Sequence, residues 1–113
     1  MLTTDYDRIK SIVGSFNKAR ILVLGDIMLD EFVWGKVSRI SPEAPIPVVH
    51  VKKQSFMPGG AANVANTISF LRGKCVLAGM IGRDRNGSLL REALKPLKVN
   101  AQGVYSDKDF TTT

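Results

Sequence analysis

Two spacings of apolar residues alternate along this chain. Ile9, Ile12, Val13 and Phe16 recur at the i, i+3, i+4, i+7 positions of an amphipathic helix, predicted over about Asp5–Asn17. Thr4 with Asp7 three residues on offers a capping box at its start, and Lys18 and Arg20 suit its C-terminal end. Ile21–Leu24 is then an unbroken apolar run closed by Gly25, the pattern of a parallel strand buried on both faces. Phe32–Val37 and Val48–Val51 are β-rich runs. Pro42, Pro45 and Pro47 make the Ser38–Pro47 segment between them extended and irregular. Met57-Pro58-Gly59-Gly60 reads as a turn that opens a helix carrying Val64, Ile68 and Leu71, with Gly73 as its stop. Val76–Ile81 repeats the buried-strand pattern. Ser88 stands where it can cap a helix with apolar positions Leu89, Leu90, Ala93, Leu94 and Leu97. Val99–Val104 predicts a third parallel strand, and Phe110–Thr113 the start of one more. The order predicts an α/β fold: a parallel sheet flanked by helices, with a small β insertion over about residues 32–52 that is placed to act as a lid.

Composition narrows the class. The 113 residues are enough for one small domain, and 44% hydrophobic with 23% charged residues is ordinary for a soluble globular chain. No apolar run approaches a membrane span, and Met1–Asp7 lacks the basic-then-apolar layout of a secretory signal, so a cytoplasmic location without a membrane partner is expected. The net charge of +6 invites a nucleic-acid reading. The sixteen Lys and Arg are scattered from Arg8 to Lys108, however, with Lys52-Lys53 and Arg83/Arg85 as the densest pairs and no interleaved aromatic ladder. A solvated basic surface that attracts phosphorylated small molecules is the better reading, and no nucleic-acid partner is expected. Cys75 is a lone cysteine in a strand-like run, and His50, the one histidine, lies in an unrelated one. No third group completes a nucleophilic pair, and no cluster has metal-ligand spacing.

Candidate chemistry gathers at two places. Gly25-Asp26 stands at the carboxyl end of the first strand, where open α/β sheets bind ligands, and Asp30 follows four residues on. Carboxylates there can accept hydrogen bonds from sugar hydroxyls. Gly59 and Gly60 let a ligand approach the backbone closely at a helix start, and Asn63 in the first turn can both donate and accept. Asp84, in Gly82-Arg83-Asp84-Arg85-Asn86-Gly87, is expected to hold its loop rather than a ligand.

These residues resemble the ribokinase/PfkB family of carbohydrate kinases. Gly25–Asp30, Pro58–Ala65 and the Gly-x-Asp-x-x-Gly of 82–87 carry the family likeness. The Ser38-Arg39-Ile40-Ser41-Pro42-Glu43-Ala44-Pro45 run is similar to the heptose kinase branch, the kinase domain of bifunctional kinase/adenylyltransferase proteins of ADP-heptose synthesis. The likeness covers roughly Ile21–Thr113. It implies a ribokinase-like fold and a sugar site built from Asp26, Gly59, Gly60 and Asn63, with Asp30 beside them. It implies a β lid that is often shared across a homodimer. In the heptose branch it implies a heptose 7-phosphate phosphorylated at its anomeric oxygen with ATP and Mg²⁺, a step toward the lipopolysaccharide core. Arg39 or Lys36 in the lid is a candidate for meeting the substrate's phosphate.

The family's Gly-Ala-Gly-Asp motif, whose aspartate is the base, and its Asn-x-x-Glu motif, which organises Mg²⁺, are not found here, and neither is a Walker-type loop. Phosphoryl transfer works by positioning and electrostatics, so half a site gives almost no rate. The expectation is therefore an N-terminal, sugar-acceptor fragment of such a kinase, with no catalytic residue of its own and no ATP or Mg²⁺ held by this chain alone. The alternatives are a non-catalytic sugar-phosphate-binding or dimerisation module, or another sugar or nucleoside kinase of the family. A dinucleotide-binding domain is set aside because no Gly-x-Gly-x-x-Gly follows the first strand.

Overall fold

The computed structural model describes residues 5–113. Helix α1 spans Tyr6–Gly14, followed by a short 3₁₀ turn at Phe16–Lys18, and strand β1 spans Arg20–Leu24. Strands β2, Ile27–Ile40, and β3, Pro47–Gly60, lead into helix α2, Ala61–Phe70. Strand β4, Lys74–Gly82, helix α3, Arg85–Leu94, and strand β5, Asn100–Asp107, complete the order. β1, β4 and β5 form a parallel sheet in the order β1-β4-β5, while β2 and β3 pair only with each other as an antiparallel ribbon.

The core lies on one face of the parallel sheet. Leu77 and Ile81 of β4, Leu90 of α3, and Ala62 and Ala65 of α2 are fully buried, and Ile27 at the root of the ribbon joins them. Small residues on α2 let it sit close to β4. The opposite face is bare: Leu22, Leu24, Val76, Met80 and Tyr105 are all exposed. The expectation that Ile21–Leu24 is buried on both faces is corrected here. β1 is an edge strand paired only with β4, and no helix of the described residues covers its outer side. α1 forms with its predicted apolar stripe, but Ile9, Ile12 and Val13 stay exposed and the helix buries nothing.

Local signals moved several boundaries. Thr4 lies outside the described residues; the α1 cap is Asp5, whose side chain accepts the Arg8 N–H at 3.2 Å. The helix breaks before Asn17 because Ser15 returns both its N–H and its hydroxyl to the Ile12 carbonyl, at 3.0 and 2.7 Å. Ser88 does not cap α3. Asp84 does, and Ser88 sits inside the helix with its hydroxyl on the Asp84 carbonyl. After α2 the left-handed residue is Arg72 (φ 72°), not Gly73. A Cβ at Gly73 would stand 2.9 Å from Ile68 Cγ2, so a larger residue there displaces Ile68. Phe110–Thr113 forms no strand, although the Thr113 carbonyl accepts the Leu29 N–H at 2.7 Å.

The ribbon is longer than its β-rich runs predict. Each strand has 14 residues, and Met57–Gly60, expected as a turn, is the last part of β3. The hairpin tip closes with the Ser41 N–H on the Ile46 carbonyl at 2.8 Å. Bulges leave Lys52 and Ser38 unpaired, between Trp34/Gly35 and Val37/Arg39 in register. The ribbon projects from the sheet, giving a radius of gyration of 19.5 Å and a longest extent of 61 Å. A compact chain of this length has a radius of gyration of about 13 Å.

Candidate functional site

The site is built where the ribbon meets the sheet. β1 ends at Leu24, and the Gly25 N–H bonds the Ala78 carbonyl at 3.2 Å, which fixes the turn that presents Asp26. The chain returns along β3 in a register that sets Gly60 opposite Ile27 and Gly59 opposite Met28. The two glycines are therefore pressed against the residues that follow Asp26. The Ala61 N–H, the first of α2, donates to the Asp26 carbonyl at 2.8 Å. Gly60 has φ +55°, and a Cβ there would collide with that same carbonyl, so only glycine fits. Gly59 is buried, and the Asp30 carboxylate lies directly over it where a side chain would otherwise stand.

Asp26, Asp30, Gly59 and Gly60 are thus brought together by one ladder, and Asn63 lies in the first turn of the helix that this ladder feeds. Asp26, Asp30 and Asn63 are exposed. Neither carboxylate has an ion-pair partner among the described residues. Exposed carboxylates without an ion-pair partner can accept hydrogen bonds from hydroxyl donors. The site is an open surface. A concavity of about 340 Å³ between Val13, Phe16, Phe70 and Arg72 lies elsewhere.

Arg39 does not belong to this cluster within one copy. At ~3.3 Å per residue it stands on the order of 30 Å up β2 from Asp30, and Lys36 about 20 Å. Strand alternation and register do place Lys36 and Lys53, opposite His50 and Trp34, on the face that carries Asp30. The bulge at Ser38 turns Arg39 to that face as well. The other face carries Val33, Val37, Val49 and Val51, all exposed.

Asp84 stands apart from the cluster and holds its loop. Backbone N–H groups of Thr112 and Gly87, with the Thr112 side chain, keep its carboxyl below the usual carboxylate range. Its partner Thr112 was not foreseeable, since nothing local links residues 28 apart in sequence. Burial pushes the Cys75 thiol up, which suits an inert strand residue. Among the described residues no group of three or more His, Cys, Asp or Glu can hold a metal ion. No helix among the described residues is long and apolar enough to cross a membrane.

The pfkB family carbohydrate kinase profile matches residues 18–113. The chain belongs to the pfkB family. A bifunctional protein HldE from Desulfatibacillum aliphaticivorans is 48% identical over 101 residues, 89% of this chain and 21% of that protein. Another from Helicobacter pylori strain HPAG1 is 47% identical over 94 residues, 83% of this chain and 20% of that protein. The chain thus spans about a fifth of the length of the curated relatives it matches. Among solved structures, a carbohydrate kinase from Agrobacterium tumefaciens aligns with a TM-score of 0.65 and 23% identity, over 83% of this chain and 29% of that one. The fold of this pfkB chain is ribokinase-like: a parallel sheet with flanking helices and a β ribbon inserted after β1.

Proposed function

We propose that this chain is the sugar-acceptor part of an ATP-dependent carbohydrate kinase, and that its acceptor is D-glycero-D-manno-heptose 7-phosphate, phosphorylated at O1 in ADP-heptose synthesis. The observation that carries the reading is the meeting of Asp26 and Asp30 with the Gly59-Gly60 backbone at the start of α2, in a pfkB chain. In this reading Asp26 and Asp30 accept hydrogen bonds from sugar hydroxyls, Asn63 donates and accepts beside them, and the glycines let Asp30 and the Asp26 carbonyl sit close against the β3 backbone. The heptose assignment is supported by the Ser38–Pro47 run and by the two HldE relatives. A phosphorylated acceptor suits Lys53, which pairs with Trp34 about 13 Å up the ribbon from Asp30 and on the same face. ATP and Mg²⁺ would be held by parts of such a kinase outside these residues, and the reaction would take place in the cytoplasm. The exposed valine face of the ribbon supports pairing with a second copy.

A direct test is to offer the natural gene product that contains this sequence ATP with heptose 7-phosphate, ribose or adenosine in turn. Transfer to heptose 7-phosphate is expected. Activity on ribose or adenosine alone overturns the heptose assignment, and transfer to no acceptor overturns the kinase reading.

The share of the relatives that this chain spans supports a second reading of the 113 residues by themselves, a module that binds a sugar phosphate without transferring phosphoryl groups. Calorimetry of the 113-residue chain with the sugar phosphate, showing saturable heat but no turnover with ATP, is the outcome that reading expects.

A further inference from the structure

A continuous hydrogen-bonded path joins α3 to the acceptor site. Asp84 Oδ1 accepts the Gly87 N–H at 2.7 Å and so caps α3. Its Oδ2 accepts the Thr112 N–H at 2.8 Å. Thr112 is only 4% exposed, and its Oγ1 accepts the Gly82 N–H at 2.8 Å. The next residue, Thr113, takes the Leu29 N–H on its carbonyl at 2.7 Å. Leu29 immediately precedes Asp30, whose carboxylate rests on Gly59. The packing along this path leaves no slack: a Cβ at Gly82 would collide with the Phe110 carbonyl, and one at Gly87 with the Gly82 carbonyl.

We propose that Asp84 is a positioning residue for the acceptor site: through Thr112 and Thr113 it fixes the root of β2 and so the seat of Asp30 over Gly59. The inference rests on the reading of Asp30 as a sugar ligand. Both Asp84 oxygens accept backbone N–H groups, and this makes the carboxylate hard to replace. An asparagine of the same shape has one oxygen and one NH₂, so one of the two N–H groups would face a donor. The α3 cap and the Thr112 contact cannot both survive. Thr112 has its own requirement, an oxygen for Gly82, which serine keeps and valine removes.

The test uses the natural gene product containing this sequence, with Asp84→Asn, Thr112→Val and Thr112→Ser. Asp84→Asn and Thr112→Val are expected to raise the acceptor KM about tenfold while the ATP KM stays within about twofold, and Thr112→Ser to behave as the parent. Hydrogen exchange at the Leu29 amide, compared with Leu77 in the core, is read independently of turnover and should quicken in the first two variants only. Unchanged Leu29 protection overturns the latch. Lost protection with an unchanged acceptor KM, or with acceptor and ATP KM raised equally, overturns its link to the acceptor. If Asp84→Asn does not fold, the Thr112→Val and Thr112→Ser pair decides. A parent that phosphorylates no sugar overturns the kinase reading instead, while the exchange measurement still tests the latch.

Discussion

β4 and β3 are both long strands, and they hold their places by different means. β4 runs through the middle of the parallel sheet with Leu77 and Ile81 fully buried under α2 and α3. β3 has only β2 beside it, and until it reaches Phe56 nearly every residue is exposed. Side-chain packing fixes the first. Backbone pairing, the hairpin tip and the root at Ile27 and Gly60 fix the second. The difference matters because the candidate site lies where the two regimes meet: Asp26 rides on the packed sheet, and Asp30 on the first turns of the exposed ribbon.

The contrast is broken most forcefully in the core. Leu77→Ala should cost ~2–5 kcal/mol in denaturant unfolding, because a fully buried side chain leaves a cavity. Met80→Ala, on the bare face of the same strand, should cost about 1 kcal/mol or less. Equal losses would mean that the bare face is covered in solution. Gly60→Ala comes next, at more than ~1 kcal/mol, since it must relieve both a positive φ and a collision with the Asp26 carbonyl. It should also abolish acceptor binding. A variant that binds normally would separate the glycine from the site.

A smaller effect concerns association. The bare sheet face and the valine face of the ribbon together leave the 113-residue chain with large apolar surfaces, so sizing should report a species above 12.4 kDa. A sharp, reversible monomeric melt contradicts this. The smallest effect is acid sensitivity. Asp84 has a folded pKa below its unfolded one, so its stabilisation is complete above the ordinary carboxylate range and is lost as pH falls through the folded value. Stability should therefore drop below about pH 4, and Asp84→Asn should flatten that part of the curve.

Wherever spacing within one element decides the structure, the sequence was readable. The helices around Ile9–Val13, Val64–Ile68 and Leu89–Leu94 and the parallel strands follow directly from periodicity. What covers those elements was not readable. The run Ile21–Leu24 states what a parallel strand needs, but not that one face has no neighbour among these residues. Pro58-Gly59-Gly60 reads as a turn because glycine and proline commonly mark one. The long-range register with Ile27 and Met28 makes it the end of a strand instead. The placement of Asp26 at the end of β1 was legible from the fold rule for open sheets. The seat of Asp30 on Gly59 and the hold of Thr112 on Asp84 depend on pairings that no local pattern encodes.

Whether Asp26 grips the acceptor is read from Asp26→Asn in the natural gene product, with turnover of heptose 7-phosphate measured at saturating ATP. A fall in kcat/KM of about 100-fold is expected, because a positioning contact to the reacting substrate is lost, with the unfolding midpoint unchanged. Unaltered kinetics would remove Asp26 from the site.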